Sequence, residues 1–456
     1  MKEQEVKIPI TKEHKSLLHY LAHFVDEEHK VDGFPVRFAV TKTDDEFYHC
    51  EIGTLISTLA FDENKIESIF CFRQRNVENT EDFNAVLLVP TGIGSDLGGH
   101  AGDAGPVARL MATVCDNFIT HPNVVNASDI NEMTENTLYV EGSVLARLLM
   151  GTIGLQKVRN NRILMIIDDH EKEVFVSAAV NSVNAARATY GLDCPEVVKL
   201  NPPIIMTAAY SSSGMAVGTI DGIDNLFRLL DKKKDEFDAV ALSSVIKVPY
   251  EYHMDYFTNE GSMLNPWGGV EAMLTHAISH LYNMPSAHSP MFETEQIANM
   301  DPGVVDSRMA AEAVSMTFLQ SILKGLKCSP KIITSAEAMK SHNVLTVEDV
   351  SCVVIPDKCI GLPTLAALEQ GIPVIAVRDN TNVMDNDLSI LPWGHNQLHY
   401  VDNYLEATGV MAAIKAGIPT EAVLRPLRST KVNTERFEEV VKEKEVNYNP
   451  QLKVKA

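Results

Sequence analysis

Short apolar runs of strand length, each followed by a turn of small residues and then a helical stretch, recur from residue 83 onward. No other feature restricts the fold as strongly. Residues 85–89, 117–120, 163–167, 204–207 and 239–246 lack polar alternation, as strands covered on both faces require. Helical stretches at 106–114, 144–149, 174–188 and 224–230 fall between them. This order predicts a doubly wound parallel sheet. A second series predicts another, with helices at 270–282, 310–326, 364–370 and 401–416 and strands at 332–334, 352–355 and 374–377. The expected fold class is therefore α/β: two Rossmann-like parallel-sheet halves, residues 83–262 and 263–430, with a cleft between them.

The ends of the chain differ from this middle. Residues 15–24 read as a helix, 36–41 and 47–52 as strands joined at Asp44-Asp45, and 76–82 as a polar linker. Residues 1–82 are thus expected to form a small α+β module, for packing or oligomerisation, and 431–456 a charged tail. No apolar run approaches the roughly 20 residues that span a bilayer. The start, MKEQEV, has no apolar core of a signal peptide. A formal charge of −22 lacks the basic footprint that nucleic acid and anionic membrane surfaces require. The seven cysteines include no CxxC pair, and free, mostly buried thiols in a reducing cytoplasm are expected. A cytoplasmic homo-oligomer acting on a small molecule, with no nucleic-acid or membrane partner, fits these properties.

The segment VPTGIGSDLGGHAGDAGP, residues 89–106, places six glycines between a strand and a helix opening at Pro106. Glycines let backbone N–H groups approach a ligand, and a helix start adds positive partial charge. The spacing is neither a Walker loop nor a dinucleotide fingerprint. Thr91, Gly92, Gly94, Gly98 and Gly99 are candidate ligand contacts, with His100 and Asp103 as candidate acid/base groups.

Other turns fall at strand ends, where parallel sheets place their ligand crevice. THPNVVNA contributes His121, Asn123 and Asn126, and YVEG contributes Glu141. SSSG offers Ser213 and Gly214, without the GxSxG context of a nucleophile elbow. NPWGGVEAMLTHAISH starts a helix and supplies Asn265, Gly268 and Glu271. His276 and His280 have the i, i+4 spacing of a zinc helix, but Ala277 stands where HExxH has its glutamate. His276, with His288 and Glu293 in or beside PSAHSP, offers a possible divalent-metal set, and no cofactor is otherwise indicated. After the last βα turn, at residues 357–364, Arg378 and Asn380 end the next strand, and Arg378 is the expected cation for a carboxylate or phosphate.

The runs VPTGIG…GGHAGDAGPVARL, ITHPNVVNA, YVEG, NPWGGVEAMLTH, PSAHSP and AAEAVSMTFLQSILKGL resemble a family known as a domain of unknown function in bacteria and photosynthetic organisms, over about residues 86–382. The resemblance implies membership, but it brings no activity and no site residues with it. Residues 358–378 look like the C-terminal unit of two-domain nucleotide-sugar epimerases and glycosyltransferases, without the glycine and glutamate pairs expected there.

Three functions follow as expectations. The first is acid/base chemistry on a small polar or anionic metabolite by an isomerase, lyase, hydrolase or transferase, with His100, Asp103, His121, His276 or His288 moving protons. The alternatives are a nucleotide-sugar enzyme and a non-catalytic metabolite-binding or assembly protein.

Overall fold

The computed structural model describes residues 1–437 except 12–14, 30, 58, 60–65, 260–261 and 316, so most of the expected charged tail lies outside the described residues. At the N-terminus, β1 (Lys2–Pro9), helix α1 (Leu17–His23), β2 (Phe34–Thr43) and β3 (Phe47–Leu55) form a small α+β unit. Its strands pair antiparallel in the order β1-β3-β2. Leu17, Leu18 and Leu21 of the helix share one apolar cluster with Ile8, Val40 and Ile52 of the sheet.

Beyond this unit the chain builds half of one parallel sheet, leaves it to build a second, and returns. The first half is β4 (Asn84–Leu87), α2 (Gly105–Ala112), β5 (Asn117–Thr120), β6 (Thr137–Tyr139) and α3 (Gly142–Leu149). The second sheet opens with β7 (Ile163–Asp168), α4 (Glu173–Tyr190) and β8 (Val197–Leu200). The hairpin β9 (Ile205–Tyr210) and β10 (Ala216–Asp221) comes next, then α5 (Ile223–Lys233) and β11 (Ala239–Lys247). Helices α6 (Tyr252–Thr258) and α7 (Gly268–Tyr282) lead to β12 (Ser286–Met291). After α8 (Leu319–Lys327) the chain re-enters the first sheet with β13 (Val350–Pro356), the two-residue β14 (Ile360–Gly361), α9 (Leu362–Gln370), β15 (Val374–Val377), β16 (Leu398–Val401) and α10 (Tyr404–Lys415).

The first sheet runs β16-β15-β13-β4-β5-β6, all parallel. In the second, β8, β7, β11 and β12 are parallel, and the β9-β10 hairpin extends it beyond β11. Every residue of β4, β5, β7, β13 and β15 is buried, which is why these runs carry no polar face. The α/β architecture is as the alternation predicts. The expected division at residue 262 is not where the sheets divide, because strands from both 83–262 and 263–430 occur in each. Strand order reverses between β4 and β13, so the turns after those two strands open on one crevice.

Two local expectations change, and one strand forms where none was expected. Residues 310–326 are not one helix: a short turn at Ala310–Ala313 and α8 are separated by a break in which Phe318 takes φ 53°. Residues 286–291 carry serines, a histidine and a proline rather than a strand signature, yet they form β12 along β11. The strand at Lys331–Ile333 joins a small antiparallel sheet with Gly154–Gln156, not the parallel series. The N-terminal unit is also stitched to the rest, since β14 pairs antiparallel with β2 through Ile360↔Val40 and Gly361↔Ala39. No helix among the described residues is long and apolar enough to cross a membrane.

The glycine-rich segment is shaped by its own packing. Gly92, Gly94, Gly98 and Gly102 have φ of 84°, 61°, 85° and 83°, a region that L side chains avoid. A β carbon on Gly99 would lie 2.0 Å from the Ser95 carbonyl oxygen. On α7, a β carbon at Gly269 would lie 1.9 Å from the carbonyl oxygen of Ala216, so this glycine lets the helix rest on β10. Gly92, Gly94, Gly98, Gly99, Gly102 and Gly269 are therefore required by the fold whether or not a ligand approaches them. Gly269→Ala should lose about 2–4 kcal/mol in urea unfolding. Gly105→Ala, whose added carbon meets nothing within 4 Å, should be neutral or gain up to about 1 kcal/mol. Similar effects at the two positions would contradict this account.

Candidate functional site

A cavity of about 430 Å³ opens at the carboxyl edge of the first sheet, at the β4/β13 switch point. Its walls come from the turns after β4, β5, β6 and β13, from β12 and the segment after it, and from β2. Gly268, Glu271, Ala272, Thr275, His276 and His280 of α7 all line it. That spacing is one helical face, and the twelve steps from Gly268 to His280 at about 1.5 Å each make a trench about 18 Å long.

Two histidine–carboxylate pairs meet along this helix. Glu141 follows β6 and is the N-cap of α3. Its Oε2 accepts hydrogen bonds from the backbone N–H groups of Ser143 (2.9 Å) and Val144 (3.3 Å), filling donors that a helix start leaves unpaired. Its Oε1 is bonded to His276 Nδ1 at 2.5 Å and accepts from Thr275 Oγ1 at 3.2 Å. Burial pushes the carboxyl up, but the His276 imidazole and the Ser143 donors hold it below its ordinary value. A carboxylate on Nδ1 fixes the neutral ring as the Nδ1–H tautomer. Nε2 then carries the lone pair. It makes no hydrogen bond among the described residues, and 19% of the side chain is accessible in the cavity wall.

The second pair is built in reverse. His288 on β12 is fully enclosed, with Nδ1 2.7 Å from Glu271 Oε1 and Nε2 2.8 Å from Ser244 Oγ. Ser, His and Glu stand in the order of a hydrolytic triad. However, the serine is buried on β11, outside the cavity lining and beside Met206 Sδ at 3.2 Å, while the glutamate reaches the cavity with 23% of its side chain accessible. His288 therefore positions Glu271 and has no free nitrogen for proton transfer. Among the described residues no three His, Cys, Asp or Glu side chains come together to hold a metal ion, so His276, His288 and Glu293 do not form the set their spacing allowed.

Thr91, Gly92, Gly99, Asn265 and Gly268 also line the cavity. Asn265 Oδ1 accepts from the N–H groups of Trp267 and Gly268 and so starts α7. Asn123 and Asn126 line the cavity too, but their amides serve the fold: Asn123 donates to the carbonyls of Val89 and Gly98, and Asn126 to the Tyr139 hydroxyl. His121 Nε2 accepts from the Val89 N–H at 3.1 Å, and burial pushes the ring down to about 4. It is a neutral acceptor within the fold. His100 Nδ1 lies 2.7 Å from the Tyr256 hydroxyl, which donates to Glu312 Oε1 at 3.1 Å, and burial and then Arg308 push His100 down to about 4.

Six expected contacts lie elsewhere. Gly94, Gly98 and Asp103 pack within the glycine-rich segment, where Asp103 accepts from the Gly98 N–H and burial pushes it up to about 7. Ser213 donates to Glu51, with Gly214 beside it. Asn380 is a buried clamp on Leu97 and Tyr404. A seventh, Arg378, is half-exposed, stacked 4.7 Å over the Tyr400 ring and paired with Asp402 at 3.5 Å, because its strand ends outside the crevice. Sequence reasoning missed Arg37, Arg147 and Glu312, all in the lining. Arg147 left a trace: it sits in VLARLL, a helix whose other residues there are apolar.

A family model described as "Protein of unknown function (DUF3326)" matches residues 84–424. An uncharacterized lipoprotein of Synechococcus sp. is 35% identical over 349 residues, spanning 74% of this chain and 92% of the relative. No solved structure matches.

Glu312 gives a pH test of this geometry. Burial pushes its carboxyl from 4.5 up to about 7, so the native state holds a proton that the unfolded chain releases. Stability from this group is full below the unfolded value and is lost as pH rises through about 7. Glu312→Gln should therefore gain stability relative to the wild type between pH 4.5 and 7, by on the order of 2 kcal/mol, and then level off. A difference independent of pH in urea unfolding would contradict the burial of this acid.

Proposed function

The chain belongs to the DUF3326 family, and we propose that it is an enzyme using acid/base chemistry on a small metabolite bound in the cavity along α7. The observation that carries this reading is His276: one cavity-lining imidazole with Nδ1 held by a buried carboxylate and Nε2 without a hydrogen-bond partner among the described residues. That is the arrangement of a general base, in which the orienting carboxylate also stabilises the imidazolium formed by proton uptake.

Glu312, whose carboxyl burial pushes up to about 7, supplies the complementary acid from the cavity wall, and the Glu271 carboxylate, aimed by His288, stands in the same lining. A base and an acid on one cavity suit an isomerase or lyase, in which one carbon loses a proton while a neighbouring atom gains one. They also suit a hydrolase whose nucleophile is water. Covalent catalysis finds less support. Ser244 lies outside the lining, and burial pushes the Cys359 thiol well up. The anion-holding role expected of Arg378 in this reading finds no support, since that side chain pairs with Asp402 outside the cavity lining. All seven cysteines are free, which supports a cytoplasmic setting as part of this proposal.

Solvent deuterium supplies the test. Incubated in D₂O with a panel of small hydroxy, oxo and unsaturated acids, the protein should introduce deuterium into at least one of them. His276→Gln should lower that rate by at least about 100-fold with the circular dichroism spectrum unchanged. Glu141→Gln should lower kcat while KM holds, because it alters the base rather than the binding surface. Undiminished incorporation by folded His276→Gln protein would overturn the assignment.

A further inference from the structure

Arg147 is a buried cation in the cavity lining, and the carboxylates that act on it, Glu67 and Glu141, do so without making an ion-pair contact. It lies on α3, 7% exposed, in the cavity lining. Its guanidinium donates to the Asn283 amide oxygen at 2.7 Å and to the Ser279 carbonyl at 3.5 Å, two acceptors for five N–H donors. Both acceptors are neutral. Among the described residues no carboxylate approaches it within 4.0 Å, whereas Arg37 in the same lining is paired with Glu3 at 2.5 Å. Burial disfavours the charged guanidinium, and the cost falls when an anion makes contact with it.

The opposite end of the trench has another character. Met254, Phe257, Trp267, Phe292, Met300 and Phe318 line it while remaining only half-buried. Apolar side chains left accessible inside a concavity mark the place of a ligand's apolar body. Trp267 adjoins the first turn of α7, whereas Ser279 and Asn283, the partners of Arg147, stand at its last. The two ends are thus about 18 Å apart along the helix. His276 precedes Ser279 by three residues, about one helical turn.

We infer that the ligand is an elongated amphipathic monocarboxylate, with its carboxylate on Arg147, its apolar chain or rings along the Met and aromatic wall, and the carbons next to the carboxylate at His276. A single guanidinium with no carboxylate in contact suits a monoanion, and its fork donates two parallel hydrogen bonds to a carboxylate. This inference rests on the acid/base reading only for the position of the reacting carbon; the binding itself stands apart from it.

Calorimetric titration of the full chain with octanoate, dodecanoate, octan-1-ol, acetate and inorganic phosphate tests it. One equivalent of octanoate should bind at least about tenfold tighter than octan-1-ol. Dodecanoate should bind more tightly still as more chain is buried, and acetate and phosphate should give no heat. In Arg147→Met protein the acid and the alcohol should bind alike. If that variant does not fold, the wild-type comparison of octanoate with octan-1-ol decides alone. Equal affinity for the two in the wild type, acetate or phosphate binding as tightly as octanoate, or a preference surviving in folded Arg147→Met would each overturn the inference. Because the readout is binding, these results leave the role of His276 untouched, while a silent deuterium panel alongside selective octanoate binding would reject the catalytic reading alone.

Discussion

The buried carboxylate of Glu141 joins the two halves of the architecture. One oxygen closes the start of α3, at the end of the first sheet, and the other meets Thr275 and His276 on α7, which packs on the second sheet. An ionised group this deep persists only because four backbone or side-chain donors and an imidazole surround it. The same bonds that make its burial tolerable fix the direction in which His276 faces. Stability and the geometry of the site are therefore one constraint: a residue that relaxed Glu141 would loosen the helix start, the contact between the sheets and the imidazole together.

Close backbone packing is the second support. Gly269 and Gly268 let α7 lie against the Ala216 carbonyl and Thr91, and Gly142 leaves room for the His276 ring, which an added β carbon would approach to 3.0 Å. The trench exists because a helix, a hairpin and the segment after β4 approach more closely than side chains would permit. The N-terminal unit completes it through the β2–β14 pairing, so Arg37 and Phe38 become part of the wall.

Much of this was legible in the letters. Uninterrupted apolar runs separated by small-residue turns announce buried parallel strands, and strand ends announce the crevice; Thr91 and Glu141 reach it for that reason, while Glu271 and His276 reach it from one face of α7. What stayed hidden depended on long-range order. That β13 returns beside β4 is a matter of tertiary pairing, and it sends Arg378 outside while bringing the turn before α9 in. β12 has the composition of a loop and becomes a strand through burial against β11. The spacing of His276 and His280 suggested shared ligation, but each ring found its own partner, Glu141 for one and the Glu67 carbonyl for the other. Glycines counted as ligand contacts turned out to answer backbone geometry first.

The claim on which the rest depends concerns a single proton. Nitrogen-15 NMR of imidazole-labelled protein, at a pH where neutral rings dominate, reports which nitrogen of His276 bears hydrogen. The account predicts the Nδ1–H form, with a strongly deshielded proton shared toward Glu141 and a bare Nε2. An Nε2–H form would place a donor where the cavity is said to present a base, and would contradict it.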